Sequence, residues 1–224
     1  MRLRLPNCLL FDLDGTLLDS FPGIAFSVGK AFHAAGLPEP KIDLRELLGP
    51  PIRTILSHAV PTDDPVLLDR LEQAFRISYD TEGWRKTSCF EGAKAALETM
   101  KAEGHRLFVV SNKPRHISLR ILEREGLVQF FERVYTPDSR APAYSSKHEM
   151  LLEFFNEYGV SPLDCLMVGD TMEDAAAAAT AEVEFVYMTH GYGDVAETHS
   201  FPVAYKLDSF SQFFRLSAEE PVSD

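Results

Sequence analysis

An apolar run ends in a cluster of acids near the start of the chain. Residues 8–11 are all apolar, as in a short buried strand, and Asp12, Asp14 and Gly15 follow at once. Two carboxylates just past a parallel strand lie where open α/β sheets place their active sites. One acid can attack an electrophile or bind a metal while the other moves a proton. The alternative is an ordinary strand followed by an Asp-Gly turn.

From residue 91 onward the sequence alternates between helical and extended patterns. This rhythm predicts an α/β fold with a mostly parallel sheet and right-handed crossovers. The predicted helices are 91–103, 114–124, 146–157, 172–181 and 209–216, and the predicted strands are 107–110, 133–136, 165–168, 184–187 and 203–206.

The segment 19–84 has a different pattern. It predicts helices from Pro22 to Gly36 and over 44–48, 52–60 and 65–81, with prolines between them and no convincing strand. We therefore predict two domains. An α/β core comprises residues 1–18 and 85–224, and a small all-helical cap of residues 19–84 is inserted after the first strand.

Two more predicted strands end in polar residues. Ser111, Asn112 and Lys113 follow strand 107–110 where a helix begins, and backbone N–H groups with a hydroxyl suit phosphate oxygens. Asp170 and Asp174 follow strand 165–168, one helical turn apart. Such acids repel one another unless a cation lies among them, and oxygen-only ligands suit Mg²⁺. Alternatively, Ser111 and Asp170 only cap their helices.

These segments resemble the motifs of the haloacid dehalogenase-like (HAD) hydrolase superfamily. Asp-Leu-Asp-Gly-Thr-Leu-Leu-Asp-Ser at 12–20 is similar to its first motif, Ser-Asn-Lys-Pro at 111–114 to its second, and Gly-Asp-Thr-Met-Glu-Asp at 169–174 to its fourth. The resemblance implies a Rossmann-like core, with Asp12 as nucleophile and Asp14 as general acid/base. The dehalogenase branch lacks an acid at the second position, so Asp14 favours phosphoryl transfer over carbon–halogen cleavage.

The family's third motif is a lysine, and Lys147 is the only lysine between Lys113 and Lys206. Many relatives read Lys-Pro-x-Pro there, whereas this chain reads Ser-Lys-His-Glu at 146–149, and Arg140 is a substitute candidate. The resemblance implies that the phosphoryl group is bound by Ser111, Asn112 and Lys147. It also implies that Mg²⁺ is held by Asp12, the backbone carbonyl of Asp14, Asp170 and, directly or through water, Asp174.

Within the cap, Leu-Gly-Pro-Pro-Ile-Arg at 48–53 resembles a loop of the phosphoglycolate-phosphatase-like branch. This implies a phosphatase that hydrolyses a small phosphate monoester through an aspartyl-phosphate. Phe21, Ile24, Arg53 and Lys113 are the candidate contacts of the leaving group. A 5′-nucleotidase, a pyrophosphatase, a sugar-phosphate phosphatase, a phosphoglucomutase-like enzyme and a non-catalytic binding relative remain alternatives.

Composition and charge limit the kinds of partner that the sequence predicts. A net charge of −12 argues against a nucleic acid or an anionic membrane surface. None of the three cysteines is followed six residues later by the arginine of a cysteine-based phosphatase. No apolar run approaches the ~20 residues of a membrane span. We therefore expect a cytoplasmic monomer or homodimer that acts on a small phosphorylated metabolite.

Overall fold

The segment Cys8–Phe11 forms strand β1, and all its residues are buried. The structure is a computed structural model that describes residues 5–60, 62–194 and 200–218. In chain order, the other strands are β2 (Leu18–Asp19), β3 (Ser88–Cys89), β4 (Arg106–Val110), β5 (Phe131–Tyr135), β6 (Cys165–Gly169), β7 (Glu184–Met188) and β8 (Tyr205–Leu207).

The helices follow the predicted pattern except over 44–48, where the chain forms a 3-10 helix, Leu44–Leu47, instead of an α-helix. They are α1 (Phe21–Ala34), α2 (Ile52–Ala59), α3 (Pro65–Thr81), α4 (Ala93–Ala102), α5 (Arg115–Arg124), α6 (Lys147–Tyr158), α7 (Met172–Thr180) and α8 (Ser211–Ala218). Helix α4 starts two residues later than predicted because Gly92, at its N-cap, has a φ of +78° that helices do not tolerate.

A six-stranded sheet has the order β5-β4-β1-β6-β7-β8, and each adjacent pair is parallel. This confirms the predicted α/β fold. The chain adds β4 and β5 on one side of β1 and then β6, β7 and β8 on the other. The topology therefore switches between β1 and β6. In open α/β sheets, ligands bind outside the carboxyl ends of the strands at this point. Phe11 pairs with Val109 on one side and Val168 on the other, so the three strands end within one residue of one another.

One face of the sheet packs against α6 through aromatic side chains. Phe108 lies with its ring centroid 4.7 Å from that of Phe154 and 4.8 Å from that of Tyr158. Cys8 and Cys165 are register partners in the same buried cluster, where the free thiols serve as small apolar groups. This packing fixes α6, and with it Lys147, against the sheet.

The chain divides into two compact units, Met1–Leu17 with Cys89–Asp224, and Leu18–Ser88. In the second unit α1 packs against α3 and the 3-10 turn Gly83–Lys86. Gly23 makes this approach possible, because a Cβ there would overlap the carbonyl oxygen of Gly83. The short strands β2 and β3 form a separate two-stranded sheet that we did not predict. Two residues are too few to show an alternating pattern.

Within the described ranges, no helix combines the length and the apolar character needed to cross a membrane.

Substitution of Leu10 tests how much the central strand contributes to the stability of the fold. Leu10 is 0% exposed in β1, whereas Leu163 is 86% exposed in a 3-10 turn. We expect Leu10→Ala to lower the free energy of unfolding by about 2–5 kcal/mol, because it leaves a cavity at the centre of the sheet. The matched Leu163→Ala should change it by less than about 0.5 kcal/mol. Urea unfolding followed by circular dichroism measures both, and equal losses would contradict this account of the core.

Candidate active site

Asp12 is the first residue after β1, and only 4% of its surface is exposed. Its N–H donates to the carbonyl of Val168 at the end of β6, at 2.9 Å, which continues the ladder by one bond. Its carboxylate Oδ1 accepts from Nζ of Lys147 at 2.8 Å. The carboxylate is therefore fixed from both the backbone and the side chain.

Lys147 is the first residue of α6, directly after the N-cap Ser146, whose hydroxyl accepts from the N–H of Glu149 at 3.2 Å. Its Nζ also donates to Oδ1 of Asp174 at 2.5 Å. Burial opposes the lysine charge, but the carboxylates of Asp12 and Asp174 outweigh burial and raise the pKa of Lys147 above its ordinary value. The lysine stays charged in a 4% exposed position.

Arg140, the substitute candidate, lies elsewhere. Its guanidinium donates to Glu149 at 2.6 Å and to Glu153 at 3.0 Å, and it stacks on Tyr144. The structure therefore brings Lys147 to Asp12 although the sequence around it departs from Lys-Pro-x-Pro.

Asp174 links Lys147 to the start of α7. While Oδ1 binds Lys147, Oδ2 accepts from the N–H of Thr171 at 3.1 Å and from its hydroxyl at 2.6 Å. Thr171 caps α7, and the N–H of Asp174 donates back to its hydroxyl, which completes a capping box. We did not predict a role for Thr171, although a threonine three residues before an acid is the sequence signature of such a box.

Asp170 follows β6 and is completely buried. Its carboxylate accepts from the hydroxyl of Thr16 at 2.9 Å and from the N–H of Tyr192 at 2.8 Å. Gly15 has a φ of +84°, and a Cβ there or at Gly191 would overlap this carboxylate. The backbone at Gly15 and at Gly191 therefore lies directly against the Asp170 carboxylate. Sequence reasoning missed Thr16 and Tyr192, although Thr16 lies inside the first motif.

Three buried carboxylates share this end of the sheet. Each of Asp12, Asp170 and Asp174 has an oxygen within 4.8 Å of the others. Burial raises the pKa of Asp12 to about 7, although the positive charge of Lys147 lowers it. Burial also raises the pKa of Asp170 well above its ordinary value, and the charges of Asp174 and Asp12 raise it further. One lysine does not balance these acids. A hard divalent cation with oxygen ligands fits the set.

The segment after β4 contributes the second group of polar side chains. Ser111 is 2% exposed, its N–H donates to the carbonyl of Tyr135 at 3.0 Å, and its hydroxyl accepts from the N–H of Lys113 at 3.4 Å. The side-chain amide of Asn112 donates to Glu173 at 2.6 Å. Glu173, the residue before Asp174, was not among the predicted site residues.

Lys113 lies next to the second acid of the first motif. Its Nζ donates to both carboxylate oxygens of Asp14, at 2.9 and 3.0 Å. The lysine side chain is 5% exposed and that of Asp14 is 27% exposed. The predicted nucleophile and the predicted acid/base are therefore paired with two different lysines.

The other candidate contacts of the leaving group, Phe21, Ile24 and Arg53, lie in the unit Leu18–Ser88. Phe21 begins α1 and has the guanidinium of Arg45 4.2 Å above its ring, and Ile24 is half-buried on the same helix. Arg53 donates to Asp69 at 2.6 Å and to Glu72 at 3.1 Å. Their contact with a substrate stays a prediction.

A sequence profile described as haloacid dehalogenase-like hydrolase matches residues 9–188. The chain belongs to this family. It is 27% identical over 225 residues to a phosphoglycolate phosphatase of Nitrosococcus oceani, covering 97% of this chain and 99% of that protein. It is 33% identical over 189 residues to tyrosine-protein kinase PtkA of Mycobacterium tuberculosis, covering 84% of this chain and 64% of that protein.

Among solved structures, a haloacid dehalogenase-like family protein of Streptococcus pneumoniae, SP0104, superposes with a TM-score of 0.86. The two chains are 20% identical, and the match covers 95% of this chain and 99% of that one. These findings confirm the predicted family and fold. The similarity to a phosphatase supports the predicted enzyme class, the phosphoric monoester hydrolases.

The raised pKa of Asp12 predicts a pH effect on stability in protein freed of divalent cations. The carboxyl titrates near pH 7 in the folded state, but near 3.9 when unfolded. Between these values the folded state binds more protons than the unfolded state, so the free energy of unfolding falls as pH rises. Because Asp12→Asn lacks this proton, we expect it to gain stability relative to wild type from about pH 5 to about pH 8.

Urea unfolding in EDTA at several pH values measures this difference. The exposed Asp164, replaced by Asn, provides the matched control and should differ from wild type by the same amount at each pH. A stability difference between wild type and Asp12→Asn that does not change with pH would argue against a proton held on Asp12.

Proposed function

We propose that this protein is a Mg²⁺-dependent phosphatase that hydrolyses a small phosphate monoester, such as phosphoglycolate, through an aspartyl-phosphate. One observation carries the proposal. A buried carboxylate, Asp12, is bound by a buried lysine, Lys147, beside two further buried acids at the switch point of the sheet. This is the arrangement that a nucleophilic carboxylate and a transferred phosphoryl group require together.

Asp12 acts as the nucleophile in this proposal. One of its carboxylate oxygens forms a bond to phosphorus while the bond from phosphorus to the leaving-group oxygen breaks. Lys147 holds Oδ1 of Asp12 at 2.8 Å, which orients the carboxylate before the substrate arrives. A buried and weakly solvated carboxylate also needs little desolvation to react.

Asp14 moves the protons. Its side chain is 27% exposed, more than that of Asp12, so it can contact both a leaving alcohol and water. It gives a proton to the leaving-group oxygen, and it then takes a proton from the water that attacks the phosphorus of the aspartyl-phosphate. The second attack releases inorganic phosphate and restores Asp12.

Ser111 and Lys147 bind the phosphoryl oxygens. Both are nearly buried, so their hydrogen bonds act in a low-dielectric site where they favour the charge of the transition state. Asn112 is the third predicted phosphate ligand, and its amide N–H already donates to Glu173. The same amide carries a second N–H, which can donate to a phosphoryl oxygen.

Asp12, Asp170 and the backbone carbonyl of Asp14 would hold Mg²⁺. When bound, the ion neutralises the acids and polarises the phosphoryl group. Asp174 has both carboxylate oxygens engaged, one by Lys147 and one by Thr171. This supports a role for Asp174 in holding Lys147 in place, with contact to the ion only through water.

A second candidate function is phosphoryl transfer to a protein, which the 33% identity to tyrosine-protein kinase PtkA favours. An aspartyl-phosphate can pass its phosphoryl group to a hydroxyl other than water. Incubation with ATP and a tyrosine-containing peptide tests this second function, because a kinase yields phosphopeptide, whereas a phosphate-monoester phosphatase leaves the peptide unphosphorylated.

Phosphate release tests the proposed function. The panel contains phosphoglycolate, sugar phosphates, nucleoside monophosphates, pyrophosphate and p-nitrophenyl phosphate, each with Mg²⁺ or with EDTA. We expect wild type with Mg²⁺ to favour one phosphate monoester, and EDTA to abolish release. Asp12→Asn should lose at least about 10³-fold in kcat because it removes the nucleophile.

Asp164→Asn is the matched control and should keep wild-type activity, because this acid is exposed in a 3-10 turn. Hydrolysis by Asp12→Asn at the wild-type rate would exclude the aspartyl-phosphate. Absence of hydrolysis by wild type across the panel would favour the kinase-like function or a non-catalytic binding protein.

A further inference from the structure

The structure contains a second buried lysine at the site, and its partner is the predicted acid/base. Nζ of Lys113 lies 2.9 and 3.0 Å from the two carboxylate oxygens of Asp14. We propose that Lys113 is a positioning residue that holds the Asp14 carboxylate where the leaving-group oxygen departs. This inference rests on the proposed phosphatase function, and it replaces direct contact with the leaving group as the main role of Lys113.

Hydrogen bonds to its backbone N–H and carbonyl hold Lys113 in place. Its N–H donates to the hydroxyl of Ser111, and its carbonyl accepts from the hydroxyl of Ser118 at 3.2 Å. Ser118 is completely buried on α5. Pro114 follows and restricts Lys113 to extended backbone conformations. The ammonium group is therefore presented from a rigid turn.

The Lys113–Asp14 pair is less exposed to solvent than the ion pairs of the surface. The Lys113 side chain is 5% exposed, whereas the partners in the surface pair Arg106–Glu132 are 33% and 32% exposed. A buried ammonium that binds both oxygens leaves the carboxylate few orientations. Since Asp14 remains 27% exposed, it is held on one side and open to a substrate on the other.

The two acids of the first motif are bound by different lysines. Lys147 binds Asp12, and Lys113 binds Asp14. Loss of Lys113 should therefore disturb proton transfer and leave nucleophilic attack in place. Proton transfer limits the rate when the leaving group is a poor one, such as an alkoxide, and matters little for p-nitrophenolate.

A double-mutant cycle tests this role. The variants are Lys113→Met, Asp14→Asn and the two combined, and kcat/KM is measured because it reports the steps up to release of the leaving group. The substrates are p-nitrophenyl phosphate and the alkyl phosphate that wild type hydrolyses fastest. We expect Lys113→Met to lower kcat/KM by about 10–100-fold for the alkyl ester and by less than about 3-fold for p-nitrophenyl phosphate.

In the Asp14→Asn background, Lys113→Met should have no further effect on the alkyl ester, because the residue that it positions is already inactive. Lys113→Arg keeps a cation and should recover part of the lost activity. Lys94→Met, on the exposed surface of α4, is the matched control and should behave as wild type. Thermal unfolding shows whether each variant is folded, and Lys113→Gln, which also removes the cation, replaces Lys113→Met if that variant is not.

Equal losses for both substrates, or a full additional loss in the Asp14→Asn background, would overturn the inference and assign Lys113 to direct contact with the substrate. An inactive wild type would instead contradict the proposed phosphatase function. The two failures are therefore distinguishable in the same set of measurements.

Discussion

The site depends on one buried ammonium group that lies between two buried carboxylates. Lys147 donates to Asp12 and to Asp174, and all three side chains are 6% exposed or less. Without this cation, three acids within 4.8 Å of one another would repel strongly in a medium that cannot solvate them. The cap at Ser146 and the packing of α6 against the sheet place the lysine there. The residues that pack α6 against the sheet therefore also position the lysine of the site.

Sheet topology explains how residues so distant in sequence meet. Asp12, Ser111 and Asp170 each follow a strand, and the three strands are parallel neighbours that end within one residue of one another. A parallel sheet places every carboxyl end on one edge, so residues separated by up to 158 positions share that edge. Glycines complete the arrangement, since Gly15 lets the backbone pass against Asp170 where a Cβ would overlap it.

Local patterns in the sequence predicted the parallel sheet and all the long helices, because apolar periodicity and prolines are visible without tertiary structure. They also placed Asp12 and Asp170 as candidates, and the resemblance to the HAD motifs added Lys147. What they could not predict were the partners. The hydrogen bonds from Thr16 and Tyr192 to Asp170, and from Asn112 to Glu173, join segments far apart in sequence. The short strands β2 and β3 were missed because two residues carry no period.

The two acids of the first motif are two residues apart, yet they occupy different environments. Asp12 is 4% exposed, and its raised pKa reflects burial beside other acids, whereas the Asp14 side chain is 27% exposed and bound by Lys113. A buried carboxylate suits attack on phosphorus, because little water must leave it, and a partly exposed one suits exchange of protons with alcohol and water. Because β1 ends at Phe11, both acids lie on the irregular backbone after the strand, where residues two apart need not share a face. Their different surroundings therefore separate the two proposed roles with the same residue type.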